Sequence, residues 1–312
     1  MRTLNIDIET FSSVDIGKSG AYKYAMSDDF QILLFAYSVD GQDVKIVDLA
    51  QGEAIPGEVL DLLKDEACIK YAYNAVFEWW CLNMAGIETP LEQWQCTMVH
   101  GLYCGYTAGL AAIGNAMGLP QDKKKLTTGS ALIRYFCIPC NPTKSNGNRT
   151  RNLPQHAPEK WELFKEYCMQ DVVTEMEISR RLSAFPVPER EWKLWVLDTF
   201  MNAYGVKVDS ELVSGALYID ALSRANLLEE ARNITKLDNP NSTSQLLSWL
   251  EEAGEEVENL QKATVEKMVD TLEDGQAKRV LEIRQELSKT SVKKYKAMDE
   301  AMCKDGRVRG LL

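Results

Sequence analysis

The stretch LNIDIE near the start of the chain constrains the fold most, because it combines a strand pattern with two closely spaced carboxylates. Its alternation predicts a β-strand with the leucine and the two isoleucines on one face and Asn5, Asp7 and Glu9 on the other. If the strand is internal, Asp7 and Glu9 have poor access to water, and burying unpaired charge costs more than a strand recovers. The pattern therefore indicates that a cation lies nearby.

The overall charge limits how the chain could bind nucleic acid. The 312 residues favour two domains, and their formal net charge of −11 argues against a binder that holds nucleic acid by general electrostatic attraction. An enzyme that holds nucleic acid locally or through metal ions remains compatible with this charge.

No apolar run is long enough to span a bilayer, so we expect no membrane partner. The first strand begins too early to leave room for a signal peptide, which favours a cytoplasmic protein.

Eight cysteines raise the question of a zinc site. Cys137 and Cys140 form a single C-x-x-C pair, and further potential ligands lie upstream at Cys96, His100 and Cys104. Structural zinc sites usually use two well-spaced ligand pairs, and this arrangement is irregular. We therefore favour scattered reduced thiols over zinc. The sequence contains no P-loop, G-x-G-x-x-G or G-x-S-x-G pattern.

The first half of the chain reads as an α/β domain. After the first strand and a turn-rich segment, two β-rich runs flank Asp40-Gly41, which predicts a hairpin. A further strand should end near Tyr73 and lead directly into a helix, and helices are also predicted over 107–118 and over LTTGSALIRYFC. A polar loop rich in Asn and Pro then precedes a long helix that begins near Glu159.

The second half is predicted to be mainly helical. Phe185-Pro-Val-Pro188 interrupts the pattern, so we expect domains at 1–186 and 187–312. The segment 288–310 carries a net charge of +4, which indicates a locally basic face, although a solvated helix would show similar charges. The final residues DGRVRGLL resemble an element cut short, which favours a piece of a longer protein.

Three widely separated stretches carry residues suited to one chemical site. Asp7 and Glu9 lie at i and i+2 on one strand face, and Glu78 lies in the first turns of a helix that follows a strand. Tyr167 and Asp171 lie at i and i+4 on one face of the long helix. Each pattern alone is ordinary, because most D-x-E pairs face solvent and most Y-x-x-x-D pairs are surface decoration. The ordered combination of all three points to a shared function.

If the strand face and the helix face meet, Asp7, Glu9 and Asp171 converge with Tyr167 one turn away, and Glu175 continues the same helix face. Carboxylates at close range repel and raise one another's pKa unless a cation intervenes. Oxygen ligands of this kind suit Mg²⁺ or Mn²⁺, and two such ions can support in-line displacement at a phosphodiester. The sequence therefore predicts a divalent-metal site.

The stretches DIETFSS, YNAVFEWW and YCMQDVVTE resemble the three motifs of the DEDD superfamily of 3′→5′ exonucleases, in the variety with a tyrosine in the third motif. The chain more closely resembles the proofreading domain of phage-type family A DNA polymerases, the DNA polymerase I group. This resemblance implies a ribonuclease-H-like fold, with a mixed sheet flanked by helices. It also implies that Asp7, Glu9 and Asp171 hold two Mg²⁺ or Mn²⁺ ions, that Glu78 supports the second ion, and that Tyr167 positions the attacking water.

The resemblance also implies contacts with DNA. Thr10 and Phe11 would lie against the terminal nucleotide, and Asn74 would lie near the primer strand. The superfamily normally supplies Asp in the second motif, so Glu78 leaves the geometry of the second ion open. Residues 187–312 resemble the segment that leads into the polymerase thumb, ending before the palm. Duplex contacts are expected there from five residues, namely Lys289, Thr290, Ser291, Lys293 and Lys294.

These patterns lead to one favoured function and two alternatives. We expect a metal-dependent 3′→5′ exonuclease of the proofreading type that acts on single-stranded DNA 3′ ends, in the cytoplasm of a bacterium or a phage-infected cell. DNA synthesis is not expected from this chain alone, because none of the polymerase's catalytic aspartate motifs is found. The alternatives are an exoribonuclease of the same superfamily and a non-catalytic module that binds duplex.

Overall fold

The computed structural model describes residues 2–107, 109–126 and 128–311. Contacts divide the chain into two compact units, Met1–Val206 with Arg307–Leu312, and Lys207–Gly306. The first unit contains the predicted sheet and is described first.

One five-stranded mixed sheet organises the first unit. Its strands, in chain order, are β1 (Arg2–Phe11), β2 (Gln31–Val39), β3 (Lys45–Asp48), β4 (Cys68–Ala72) and β5 (Trp94–Cys96). The spatial order is β3-β2-β1-β4-β5, in which β2 runs antiparallel to β1 and β3. β4 pairs parallel with β1, and β5 pairs parallel with β4. This is the ribonuclease-H-like arrangement, so the predicted fold class is confirmed.

Helices cover both faces of the sheet. In the first unit they are α1 (Ile16–Ala25), α2 (Gly57–Lys64), α3 (Ala75–Met84), α4 (Thr97–Tyr103), α5 (Leu110–Ala116), α6 (Gly129–Phe136), α7 (Pro158–Leu182) and α8 (Glu189–Tyr204). The apolar face of β1, with Leu4, Ile6 and Ile8, packs into a core shared with α1, α2 and α3. On the opposite face, Phe11 and neighbouring residues of β2 pack against α6 and α7. β1 is therefore an internal strand, and its polar face lies beneath α7.

Several predicted elements match and others were missed. The hairpin, the strand before α3 and the long helix α7 occur close to their predicted positions. The turn-rich segment after β1 instead forms α1, which Asp15 caps by accepting a hydrogen bond from the Gly17 backbone and which Gly20 interrupts at φ 75°. The helix expected over 107–118 is shorter, and Ala108 lies outside the described residues. Thr127, within the predicted LTTGSALIRYFC helix, also lies outside them.

The second unit is helical, as expected. Its helices are α9 (Ser210–Thr235), α10 (Thr243–Glu252), α11 (Lys262–Thr271), α12 (Gln276–Ser288) and α13 (Lys293–Ala301), and two-residue strands β6 (Val206–Lys207) and β7 (Arg307–Val308) lie where the chain passes between units. Asp209 caps α9 by accepting from the Leu212 backbone. Leu246, Leu250 and Leu281 form part of a small separate core.

The contact boundary lies later in the chain than the boundary predicted after residue 186. Helix α8 packs through Trp192, Trp195 and Val196 on the core of the first unit, so the two-proline break does not end that unit. The assignment of functions to 1–186 and 187–312 stays a prediction. Among the described helices, none is both long and apolar enough to cross a membrane.

Candidate metal centre

The polar face of β1 meets helix α7, and this contact assembles the site. Asp7 is half-buried and Glu9 is 7% exposed. Cys168 of α7 lies over them, and its thiol donates to Asp7 Oδ2 at 3.4 Å and to the Asp7 carbonyl at 3.7 Å. The ligand atoms of Asp7, Glu9 and Cys168 all lie within 4.8 Å of one another. A bulge in the pairing of β1 with β2 follows directly after Glu9, a feature often found beside functional sites.

Asp171 lies one helical turn beyond Tyr167 and joins the same cluster. Its side chain is buried, with the residue 5% exposed. Its Oδ2 forms an ion pair with Lys125 Nζ, whereas its Oδ1 has no hydrogen-bond partner among the described residues. Lys125 Nζ, the partner of Asp171, also lies 4.7 Å from the centroid of the Tyr167 ring. The structure therefore places Tyr167 and Asp171 of α7 beside Asp7 and Glu9 of β1.

Lys125 is the residue that sequence reasoning missed. The alternation in β1 required a nearby cation, and this lysine is a protein cation at the cluster. It belongs to a run of three lysines, 123–125, that precedes α6. The run was visible in the sequence, but no periodicity singled out one of its members or directed it to Asp171.

The electrostatics of the cluster favour a bound cation. Burial raises the pKa values of Asp7 and Glu9 well above their ordinary range, and the neighbouring carboxylates raise them further. Burial also raises the pKa of Asp171, whereas Lys125 opposes that shift. Carboxylates held this close lose their repulsion when a divalent ion binds between them.

Glu78 is part of the same buried acidic environment. It lies in the first turn of α3, is 6% exposed, and its Oε2 is buried with no hydrogen-bond partner among the described residues. Burial raises its pKa first, and the charge of Asp7 raises it next. The junction of β4 and α3 that positions Glu78 contains Asn74, which is exposed and has φ 134°. A non-glycine residue in that region is strained, and such strain concentrates at functional sites.

The Tyr167 ring packs directly against the backbone of Gly129, which has no side chain. A Cβ on Gly129, the first residue of α6, would overlap the Tyr167 ring. The ring also stacks on Phe164, with centroids 6.2 Å apart and an interplanar angle of 10°. Burial raises the Tyr167 pKa far above its ordinary value, so the phenol stays protonated at neutral pH.

Glu175 locks the helix onto the sheet. It is buried, and it accepts hydrogen bonds from Asn5 Nδ2 at 2.7 Å and from the Thr97 hydroxyl. Burial raises its pKa to about 7, and these two hydrogen bonds limit the rise. Sequence reasoning placed Glu175 on the right helix face without a role, and its hydrogen bonds indicate that it positions α7.

Thr10 and Phe11, which were expected to contact a terminal nucleotide, are buried rather than open to solvent. Phe11 is 3% exposed, and the Arg151 guanidinium lies 3.7 Å from its ring centroid. Thr10 is buried and shares a 2.8 Å hydrogen bond with the Tyr24 hydroxyl. As placed, neither side chain is open to a base, so a stacking role for Phe11 requires Arg151 to move. Asn74 is exposed, and its contact with DNA stays a prediction.

The candidate zinc ligands do not share one site. Cys137 donates to Glu9 Oε2 at 3.8 Å, whereas Cys140 donates to the Arg149 carbonyl at 3.4 Å. His100 Nε2 lies 2.8 Å from the carbonyl oxygen of Phe185. All eight cysteines are free thiols in the structure.

In the second unit, the five residues expected to contact duplex are exposed, namely Lys289, Thr290, Ser291, Lys293 and Lys294.

The donor set fits a divalent cation. Two buried carboxylate oxygens, Asp171 Oδ1 and Glu78 Oε2, have no partner in the described part of the chain, and Asp7 and Glu9 add further oxygens. Such oxygen donors suit Mg²⁺ or Mn²⁺.

Comparisons with known proteins give the chain a context. No protein-family model matches the sequence. A DNA polymerase of Bacillus phage SP02 is 50% identical over 313 residues, which is 100% of this chain and 48% of the relative. The chain thus spans about half the length of this curated relative.

Two solved structures resemble the chain at much lower sequence identity. The POL domain of Pol1 from M. smegmatis, in complex with DNA primer-template and dNTP, superposes with a TM-score of 0.53 at 14% identity, covering 99% of this chain and 48% of that one. An apo form of a nuclease has a TM-score of 0.37 at 13% identity, covering 63% and 80% of the two chains. The chain is therefore similar in sequence to a phage DNA polymerase and in fold to a solved polymerase structure.

Proposed function

We propose that this chain is a metal-dependent 3′→5′ exonuclease of the proofreading type, which hydrolyses phosphodiester bonds at DNA 3′ ends. The observation that carries the proposal is the meeting of Asp7 and Glu9 on β1 with the α7 face that carries Asp171. Beside them, Asp171 Oδ1 and Glu78 Oε2 are buried with no partner among the described residues. The similarity to a phage DNA polymerase supports DNA as the substrate. On this proposal the chain is the N-terminal part of a family A polymerase, with 187–312 forming a thumb-like region.

The site residues have distinct roles in this reaction. Asp7, Glu9 and Asp171 would hold two Mg²⁺ or Mn²⁺ ions, and Glu78 would support the second. Bound divalent ions polarise the phosphodiester and make water nucleophilic at neutral pH. Burial keeps the Tyr167 phenol protonated at neutral pH, so its hydroxyl can hold the attacking water in line with the bond to be broken.

Lys125 and Glu175 act on the other site residues. Lys125 pairs with Asp171 Oδ2, so a metal ion that used this oxygen would have to share it with the lysine or displace the lysine. Glu175 holds α7 against β1 and α4. These hydrogen bonds fix how far Asp171 lies from Asp7 and Glu9. The protein thus keeps its carboxylates preorganised before metal or DNA arrives.

The partners and location follow from the same proposal. A single-stranded 3′ end would enter the acidic cluster, and the exposed lysines after α12 would contact duplex phosphates. We expect the protein to act in the cytoplasm of a bacterial or phage-infected cell, because the relative is a phage polymerase.

Digestion of labelled oligonucleotides tests the proposal. Single-stranded DNA and RNA of one sequence, labelled at the 5′ end, are incubated with the protein in Mg²⁺, in Mn²⁺ and in EDTA. We expect a ladder that shortens from the 3′ end of DNA and depends on metal. Asp7→Ala should abolish it, whereas Asp43→Ala, at an exposed aspartate of the β2–β3 hairpin, should not.

Three outcomes would contradict the proposal. Faster digestion of RNA would favour the exoribonuclease alternative. Equal activity of wild type and Asp7→Ala would exclude the metal site as the origin of the digestion. Absence of digestion, with duplex binding retained, would favour the non-catalytic module.

A further inference from the structure

Two thiols touch the carboxylates of the candidate metal centre, and the proposed hydrolysis uses neither. Cys168 Sγ lies 3.4 Å from Asp7 Oδ2, and Cys137 Sγ lies 3.8 Å from Glu9 Oε2. Both cysteines are buried. Sulfur beside oxygen ligands changes which cations a site prefers, because thiolates bind borderline and soft metals such as Zn²⁺, Co²⁺ and Cd²⁺ far better than Mg²⁺.

The geometry distinguishes the two thiols. The ligand atoms of Asp7, Glu9 and Cys168 lie within 4.8 Å of one another, so small side-chain rotations can place all three on one ion. Cys137 is not a member of this group, and its contact with Glu9 is longer. Cys168 belongs to α7, so the helix that supplies Asp171 also supplies the sulfur.

A second observation points to a ligand at the same place. Asp171 is almost fully buried, and its Oδ1 has no partner among the described residues. Asp171 lies three residues after Cys168 on α7, so it lies on the same side of the helix as the thiol that contacts Asp7. Asp171 lies outside the 4.8 Å group of Asp7, Glu9 and Cys168, so an ion on those three would take its fourth ligand from water or from Asp171 after a side-chain rotation.

We propose that Cys168 is a metal ligand, and that Asp7, Glu9 and Cys168 together bind a thiophilic divalent cation of the Zn²⁺, Co²⁺ or Cd²⁺ type. Binding forms a metal–sulfur bond and releases the thiol proton to solvent, with no change in oxidation state. The inference rests on the proposed function in using Asp7 and Glu9. It adds a regulatory consequence, because a thiophilic ion at this site competes with Mg²⁺ for both carboxylates.

Titration with Cd²⁺ tests the sulfur ligand directly. Thiolate coordination to Cd²⁺ produces a charge-transfer absorption in the ultraviolet, which is followed in the metal-free, reduced full chain. We expect the band to saturate at one ion per chain in wild type. Cys168→Ser and Cys168→Ala should lose it, and circular dichroism verifies that each variant is folded. Cys137→Ser is the matched control, because it removes a buried thiol beside Glu9 and should retain the band.

The results separate this inference from the proposed function. Asp7→Asn should weaken Cd²⁺ binding at least about 10-fold, because an anionic ligand is lost. A band that persists in both Cys168 variants, or no saturable band in wild type, would overturn the inference even if DNA digestion in Mg²⁺ is normal. A band that depends on Cys168 in a protein without nuclease activity would support the inference and refute the proposed function.

Discussion

Replacing Gly129 with alanine tests whether the position of Tyr167 matters for catalysis. The new Cβ would lie 2.7 Å from Tyr167 Cδ2 and closer still to Cε2 and Cζ, whereas ordinary contacts begin at 3.4 Å. The ring is buried and stacked on Phe164, so it cannot swing into solvent. Relief of the overlap therefore requires a shift of the ring or of α6 on the order of 1 Å, which can cost about 100-fold in rate.

The stability cost should be much smaller than the catalytic cost. Overpacking of a buried site costs roughly 1–3 kcal/mol, and removing a glycine from a helix returns at most about 1 kcal/mol. Gly129→Ala should therefore remain folded while losing about 100-fold in the single-turnover rate of cleavage of single-stranded DNA. The matched control is Gly57→Ala. Gly57 is likewise the first residue of its helix, and an added Cβ there meets nothing within 4 Å.

Single-turnover digestion and urea unfolding measure the two effects separately. In a Tyr167→Phe background, Gly129→Ala should cost little further activity, because both changes disable the same hydroxyl. Activity of Gly129→Ala equal to that of Gly57→Ala would refute the reasoning. Full additivity of Gly129→Ala and Tyr167→Phe would show that Gly129 acts through something other than the tyrosine.

Three further predictions concern the cation, the pH response and the basic segment. Lys125→Met removes the cation from Asp171 and should lower the free energy of unfolding in EDTA by roughly 1–3 kcal/mol. Urea unfolding with and without Mn²⁺ measures this loss, which should be smaller when the metal is present. An unchanged stability would contradict the ion pair. Glu175→Gln should flatten the pH dependence of stability between about pH 5 and 8 in EDTA, and parallel curves for wild type and variant would contradict a titrating Glu175. Lys293→Ala and Lys294→Ala should each reduce the slope of log Kd for duplex DNA against log salt by about 0.9, and unchanged slopes would exclude phosphate contacts there.

The sign of the Glu175 effect follows from its raised pKa. Burial raises the value from 4.5 to about 7, so the folded chain binds a proton more tightly than the unfolded chain. The corresponding stability is fully present below about pH 4.5 and is lost as the pH rises through about 7. The full change is about 3 kcal/mol for a shift of this size. Glutamine carries no such charge, so the variant should become more stable relative to wild type as the pH rises.

The sequence was most informative where one local pattern determined the outcome. The alternation in LNIDIE predicted a strand with both carboxylates on one face, and β1 is that strand, at an internal position of the sheet. The i, i+4 spacing of Tyr167 and Asp171 placed both on one face of a long helix, and that face meets β1. These predictions succeeded because strand and helix periodicity depend on local geometry alone.

The parts that escaped prediction depend on distant segments. Lys125 reaches Asp171 from a segment with no periodicity, and Arg151 covers Phe11 from a loop far along the chain. Cys168 lies at helical spacing among buried apolar residues of α7, such as Phe164 and Val172, so its position in the sequence gave no sign that its thiol would contact Asp7. Such contacts are set by tertiary packing, which a pattern within one element does not record.

Anomalous diffraction from crystals grown with Mn²⁺ tests the central claim most directly, because it locates the ions themselves. We expect two anomalous peaks per chain, both bounded by Asp7, Glu9 and Asp171, with the Lys125 ammonium displaced from Asp171 Oδ2. An unchanged Lys125–Asp171 pair with no anomalous peak at saturating Mn²⁺ would contradict the account.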